Sequence, residues 1–449
     1  MSMKRIPSML MLVVLLAALL AACGSPSGGT TGTQSTPAAG TGGTTETATA
    51  GTGGTTETAA AATPGVAATA AGGAAEDLPN VANLNLPPVK IASQSPLSGP
   101  QSALGTGIRN GVELAVEQIG ERLGLNVTLE AKDDQATPDV GAANANQIAA
   151  DQDILCVAGH LNSGVALAAL PTYKSAGLTM VTPANTNVRI TDEFGGTAWR
   201  VVGRDDVQGG VAGKFAADQG YKTAYVLHDK TDYGLGVAEF FRAEAERGGV
   251  QIVGFEGTEE TAVFDPILNP ILAQQPEAVF WGGIYSAGGP LLKQMRDKGI
   301  QAAFLGTDGL DSPVLVELAG EAAVGVQYVT IAGPPSEYPG AAQLATDYQA
   351  RFNAPAPPFS PQAYDAAGIC LTAIAKAAQA ANGKPTRQQV NDAMKEMTSY
   401  EGVTGTVNFD EKGDRVPATY FILKVTSGDP AKFGESEIVS KLELGPAPQ

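Results

Sequence analysis

From residue 89 onward, short apolar and β-branched runs alternate with segments that repeat apolar residues at helical spacing. The first half of this pattern predicts strands over 89–93, 127–132, 154–158 and 178–182, separated by helices over 108–123, 138–151 and 164–176. In the first helix, Ile108, Val112, Ala115, Ile119 and Leu123 fall close to one face. A second series predicts helices over 207–219, 235–247, 264–274 and 288–298, with strands over 224–227, 252–255, 278–281 and 303–305. Helical patterns return over 340–397, followed by the β-like runs TGTVNFD and TYFILKV. Strands alternating with helices predict parallel sheets covered on both faces, and two such series predict two α/β lobes. The C-terminal segments then complete both lobes rather than forming a third. This requires three crossings, near Gly203, Gly333 and Asn408, and several crossings at one edge make a hinge. The expected division is 86–203 plus 334–407 for lobe 1, and 204–333 plus 408–449 for lobe 2.

The first 85 residues follow another logic. Lys4 and Arg5 precede an apolar stretch, Met9 to Leu20, that is too short to span a bilayer comfortably and is laid out like an export signal. It ends in Leu20-Ala21-Ala22-Cys23. From Gly24 to Ala75 the chain is almost entirely Gly, Ser, Thr, Ala and Pro, and GTGGTTETA occurs at Gly40 and again at Gly51. With so little apolar surface to offset its ordering entropy, this stretch sets the expectation of a signal segment over 1–22 and a disordered tether over 23–85, with a reach of about 45 Å.

Four polar clusters follow predicted strands: GHLNSG (159–164), TPANT (182–186), HDKTDYG (228–234) and GTDG (306–309). Ligands of open α/β sheets bind outside the carboxyl ends of the strands, so these clusters mark the expected rim of a small-molecule site. Ser163 and Gly164 fall at a predicted helix N-terminus, where free N–H groups favour an anion. Ser163 as a plain helix cap is the alternative reading. Thr186 offers a further hydroxyl. Asp308 is an acceptor suited to an ammonium group, or an ordinary loop aspartate. Tyr233 packs on its own lobe or walls the cleft.

Charge and chemistry narrow the field. The 449-residue chain carries 28 basic and 46 acidic side chains, a formal charge of -18, and a phosphate backbone would repel it. Only two histidines occur, His160 and His228, too few for an imidazole metal site, and no HExxH, CxxC, GxSxG, SxxK or intact nucleotide-binding motif is present. A binding role without metal or cofactor is therefore expected, rather than catalysis. Cys156 and Cys370 lie in apolar runs and read as small buried hydrophobes, with their pairing left open by the sequence.

Together, PLSGP at Pro96, KDDQATPD from Lys132, GHLNSG, VTPANT, HDKTDYG, WGGIYSAGG, FLGTDG and FDEKGD resemble, in order and spacing, the periplasmic Leu/Ile/Val-binding protein family, the substrate receptors of branched-chain amino acid ABC transporters. The resemblance implies a type I periplasmic-binding-protein fold, with two doubly wound Rossmann-like lobes. It implies an amino acid ligand, probed at its carboxylate by Ser163 and Thr186 with backbone help near Leu161 and Ala184, and at its ammonium by Asp308. Aromatic rings at Tyr233 and Phe359 would flank it. Leu104 and Ile284 stand where well-known relatives carry tyrosine, and Asn162 where some carry cysteine, which leaves the amino acid class clearer than its identity. The resemblance further implies a monomer that partners a permease and its ATPase. Residues 20–23 resemble a lipobox, implying cleavage before Cys23, lipidation of its sulfur, and anchoring at the outer face of a bacterial membrane. A sensor of amides or small carboxylic acids with the same fold is the competing role.

Overall fold

The computed structural model describes residues 78–445. The signal segment, Cys23 and most of the expected tether lie outside these residues. The chain is already packed before residue 86, where the tether was expected to end. Val81 is buried, and its N–H donates to the Leu123 carbonyl at 2.9 Å.

The first sheet contains β1 (Val89–Ser95), β2 (Val127–Asp133), β3 (Ile154–Ala158), β4 (Thr179–Thr182) and β5 (Ala198–Arg200). Between them run α1 (Ser102–Leu123), α2 (Pro138–Ala150), α3 (Ser163–Ser175) and α4 (Arg189–Phe194). All strand pairs are parallel, in the order β2-β1-β3-β4-β5. After α5 (Asp205–Asp218), the second series supplies β6 (Thr223–His228), α6 (Asp232–Arg247), β7 (Gln251–Gly257), α7 (Asp265–Gln274), β8 (Ala278–Gly282), α8 (Tyr285–Asp297), β9 (Ala303–Gly306), α9 (Pro313–Ala319) and β10 (Gln327–Thr330). The chain then forms α10 (Ala341–Phe352), α11 (Ser360–Ala381) and α12 (Arg387–Lys395). It ends with the hairpin β11 (Ser399–Gly402) and β12 (Gly405–Asn408), then β13 (Ala418–Lys424) and β14 (Glu437–Leu444).

The second sheet runs β14-β13-β10-β9-β8-β6-β7, with β13 and β14 antiparallel on an otherwise parallel core. Its parallel part repeats the order of the first sheet. Each therefore reverses direction after its first strand, β1/β3 in one and β6/β8 in the other, and such switch points open a crevice at the strand ends. Every residue of β3 and β8 is buried, as expected for strands covered on both faces, and this is why they read as unbroken apolar runs.

α11 packs on α1, β1, β3 and β4, so the late helices serve the first sheet while β13 and β14 serve the second. α1 begins six residues earlier than its apolar spacing predicts. Its first two turns pack through Leu104, Gly105 and Gly107, and a Cβ at Gly105 would collide with the Pro96 carbonyl oxygen. The same close packing accounts for Cys156 and Cys370. Both are buried as expected, and the pairing that the sequence left open is present: β3 and α11 lie face to face, and a disulfide joins the two residues across a Cα–Cα distance of 5.8 Å.

The chain passes between the sheets over 201–204, 331–340 and 409–417. A buried ion cluster binds the first and third passages. Arg200 Nε and Arg204 Nη1 each donate to the Asp414 carboxylate at 2.7 Å, while Arg200 Nη1 also holds the Asn185 and Asn187 carbonyls. Burial opposes ionisation of Asp414, yet the two guanidinium groups keep its carboxyl below the ordinary value. A charge so deeply placed is tolerated only when paired.

Candidate functional site: a cavity between the strand ends

A cavity of about 360 Å³ lies where the carboxyl ends of the two sheets face one another. The first sheet contributes Leu104 from α1, Leu161 to Gly164 after β3, and Ala184 after β4. Opposite stand Tyr233 in the first turn of α6, Ile284 before α8, and Asp308 after β9, while Phe359 closes the space at the start of α11. All sequence-predicted ligand residues line the cavity except Thr186. That residue is fully buried behind the wall, because its carbonyl accepts from the Asp205 N–H at 2.9 Å and its hydroxyl turns toward the Asp205 carboxyl without forming a good hydrogen bond.

One end of the cavity suits an anion. Asn162, not Ser163, is the N-cap of α3, and its side chain makes no capping hydrogen bond. The Asn162 amide instead donates to Gln101 Oε1 at 2.8 Å. Ser163 Oγ accepts from the Asn187 N–H at 3.3 Å, which leaves its hydroxyl proton available to the cavity. The cap reading of Ser163 therefore gives way to an uncapped helix end with a hydroxyl beside it, which favours negative charge.

The other end suits a cation. Asp308 is 4% exposed, and its Oδ1 accepts from Gln208 Nε2 at 2.6 Å and from the Tyr233 hydroxyl at 2.7 Å. Burial raises its carboxyl and these two donors pull it part of the way back, leaving it at about 6. Asp205, deeper in the wall, is raised well above the ordinary value by burial and then by Asp308, so it holds its proton while Asp308 ionises. Burial and the Asp308 charge likewise keep the Tyr233 phenol protonated as a donor. Tyr233 thus fills both of its expected roles, with its hydroxyl tied to Thr307 and Gly309 of its own side and its ring on the cavity.

The two walls also touch. Asn187 Nδ2 donates to the Asp232 carbonyl at 2.7 Å, Arg189 Nη1 to Asp232 Oδ1 at 3.1 Å, and the Tyr285 hydroxyl to the Pro100 carbonyl at 3.1 Å. A Cβ at Gly164 would come within 3.1 Å of Asp232 Oδ2, so glycine permits this approach. Phe359 holds a left-handed backbone, φ 69°, a conformation that costs a bulky residue energy and is retained where the surroundings demand it.

Several lining residues escaped prediction by number. Asp229 to Asp232 belong to a cluster already marked by its polarity, and Ala136 and Pro138 to the KDDQATPD segment, but Gln101 and Glu259 carry no such mark. Gln208 reaches Asp308 from 100 residues away, and no local pattern signals it.

Two matched parallel sheets around a cavity that is anionophilic at one end and acidic at the other define a two-lobed receptor for a small polar-ended ligand. Residues 88–430 match the periplasmic binding protein family, and the chain belongs to it, in its Leu/Ile/Val-binding branch. It is 32% identical over 348 residues to Leu/Ile/Val-binding protein homolog 1 of Brucella abortus, covering 75% of this chain and 90% of that one. It is 33% identical over 332 residues to the leucine-, isoleucine-, valine-, threonine- and alanine-binding protein of Pseudomonas aeruginosa, covering 73% and 87%. The leucine-binding protein LivK of Thermotoga maritima superposes with a TM-score of 0.71 at 25% identity, covering 79% of this chain and 99% of that one. A Rhodopseudomonas palustris solute-binding protein in complex with benzoate shares the fold at a TM-score of 0.71 and 19% identity, covering 81% and 98%.

Proposed function

We propose that this protein is the extracytoplasmic receptor of an ABC importer, capturing an apolar amino acid of the branched-chain class between its lobes and presenting it to a permease and its ATPase. It binds its ligand and returns it unchanged. The α-carboxylate sits at the N-terminus of α3 with the Ser163 hydroxyl, the ammonium pairs with Asp308, and the side chain packs against Leu104, Ile284, Tyr233 and Phe359. Thr186 is left out of this clamp. The lobes comprise 78–203 with 334–407, and 204–333 with 408–445, hinged at the three passages.

The single observation that carries this reading is the opposition of Ser163 and Asp308 across one cavity, each polar end backed by its own sheet. The named ligands of the two curated relatives support the same class. Charge-assisted hydrogen bonds contribute roughly 1.5–3 kcal/mol each and a buried aliphatic side chain roughly 1.5–3 kcal/mol, enough for the about 8 kcal/mol of micromolar binding. Calorimetric titration with leucine and with 4-methylpentanoate, its deaminated counterpart, tests it. Asp308→Asn is expected to weaken leucine about 10- to 100-fold while changing 4-methylpentanoate less than threefold. Equal losses would remove Asp308 from the ammonium site. A receptor for small carboxylic acids, favoured by the benzoate-bound neighbour, predicts instead that 4-methylpentanoate or benzoate outcompetes leucine.

The sequence ahead of the folded part supports a lipid anchor at Cys23. Several buried acyl chains hold a protein to a bilayer far more firmly than one. Cys23→Ser is expected to move the protein from the membrane fraction to the soluble fraction with unchanged ligand affinity, and an undiminished membrane fraction would count against lipidation.

A further inference from the structure

A second, larger cavity of about 740 Å³ lies on the far side of Phe359, which walls both spaces. Its remaining surface comes from the start of α1 and the proline-rich segment 354–358 on one side, and from α9, β10 and the segment after β13 on the other. Tyr328, Tyr348, Phe433 and Leu423 give it an apolar lining.

Its polar groups are one-sided. Asp311, 4% exposed, accepts from the Tyr328 hydroxyl at 3.2 Å through one oxygen and from the Thr330 hydroxyl at 2.6 Å through the other, so each oxygen keeps a lone pair. Glu317 stands exposed at the rim. Asn110 and Gln362, 6% and 1% exposed, also line the cavity. Among the described residues, no lysine, arginine or histidine lines this space. Aromatic faces and carboxylates around an apolar volume complement a cation that carries hydrocarbon.

We propose that this cavity is a second ligand site, for an apolar organic cation such as an alkyl or aryl amine, with Asp311 and Glu317 facing the charge and the aromatic rings of Tyr328, Tyr348 and Phe433 around its hydrocarbon. Because both sheets build its walls and Phe359 is shared, an occupant here acts on the same lobe arrangement as the amino acid cleft.

The test is calorimetric titration of the full chain, saturated with leucine, with benzylamine and, separately, with benzoate, which has the same ring and the opposite charge. Benzylamine is expected to bind and benzoate to bind at least tenfold more weakly. Val314→Trp, which fills the cavity from its wall, is expected to weaken benzylamine at least tenfold, and Glu317→Gln about three- to tenfold. A parallel titration of Asp308→Asn without leucine takes the amino acid cleft out of the readout, so failure of leucine to bind does not obscure the result. Absence of benzylamine binding up to millimolar concentration, benzoate binding as tightly, or undiminished binding to Val314→Trp would overturn the proposal.

Discussion

Asp308 shows how far surroundings change a side chain. In the sequence it is a loop aspartate between two glycines, whereas in the fold it is a buried carboxylate raised to about 6 by burial and steadied by Gln208 and Tyr233. The ammonium of a zwitterion pairs only with the ionised form, so a proton competes with the ligand. Leucine affinity is therefore expected to be nearly flat above pH 7 and to fall as the pH drops through 6, by about tenfold in all between pH 7 and pH 5. For folding the sign is opposite, because a carboxyl raised in the folded state takes up its proton more readily there, and this group favours folding increasingly as the pH falls from about 7 toward 4. Calorimetry across pH 5 to 8 measures the binding effect, and a flat profile would place the ammonium elsewhere. Ser163 and Asp308 were legible because each lies in a short polar cluster that follows an apolar run. Asp205 and Gln208, which set the state of Asp308, were not, since they arrive from a helix distant in sequence.

At the scale of elements, the central parallel strands such as β3 and β8 were legible because burial on both faces makes them continuous apolar runs. The elements that escaped are short or half-exposed: β5 has three residues, β10 four, and β14 shows no buried residue. Their neighbours, rather than their own patterns, hold them in the sheet. The disulfide belongs to this scale, since it ties β3, whose end leads into Leu161 to Gly164, to α11, whose start carries Phe359. Its closed loop spans a sequence separation of 214. Cys156→Ala with Cys370→Ala is expected to lower stability by about 2–4 kcal/mol, read as an earlier denaturation midpoint in urea. An unchanged midpoint would show that packing between β3 and α11 suffices without the bond. A buried disulfide also accords with the oxidising compartment that an export signal implies.

For the whole molecule, the contacts of Asn187, Arg189 and Tyr285 bridge the two walls at the cavity mouth. The Arg189–Asp232 pair is half-exposed on both sides, so it contributes about 1 kcal/mol or less. Arg189→Ala is expected to speed leucine dissociation up to about fivefold with little change in association, measured by stopped-flow fluorescence. A slower association with unchanged dissociation would show that Arg189 guides entry instead. By itself the sequence determined the alternating α/β architecture, the polar clusters at the strand ends and the acidic charge, because each is written in local spacing and composition. Only the tertiary structure decided that Cys156 meets Cys370, that Thr186 lies behind the wall, and that Gln208 and Asp205 govern Asp308. Those outcomes depend on which distant surfaces pack together, and local periodicity carries no record of that choice.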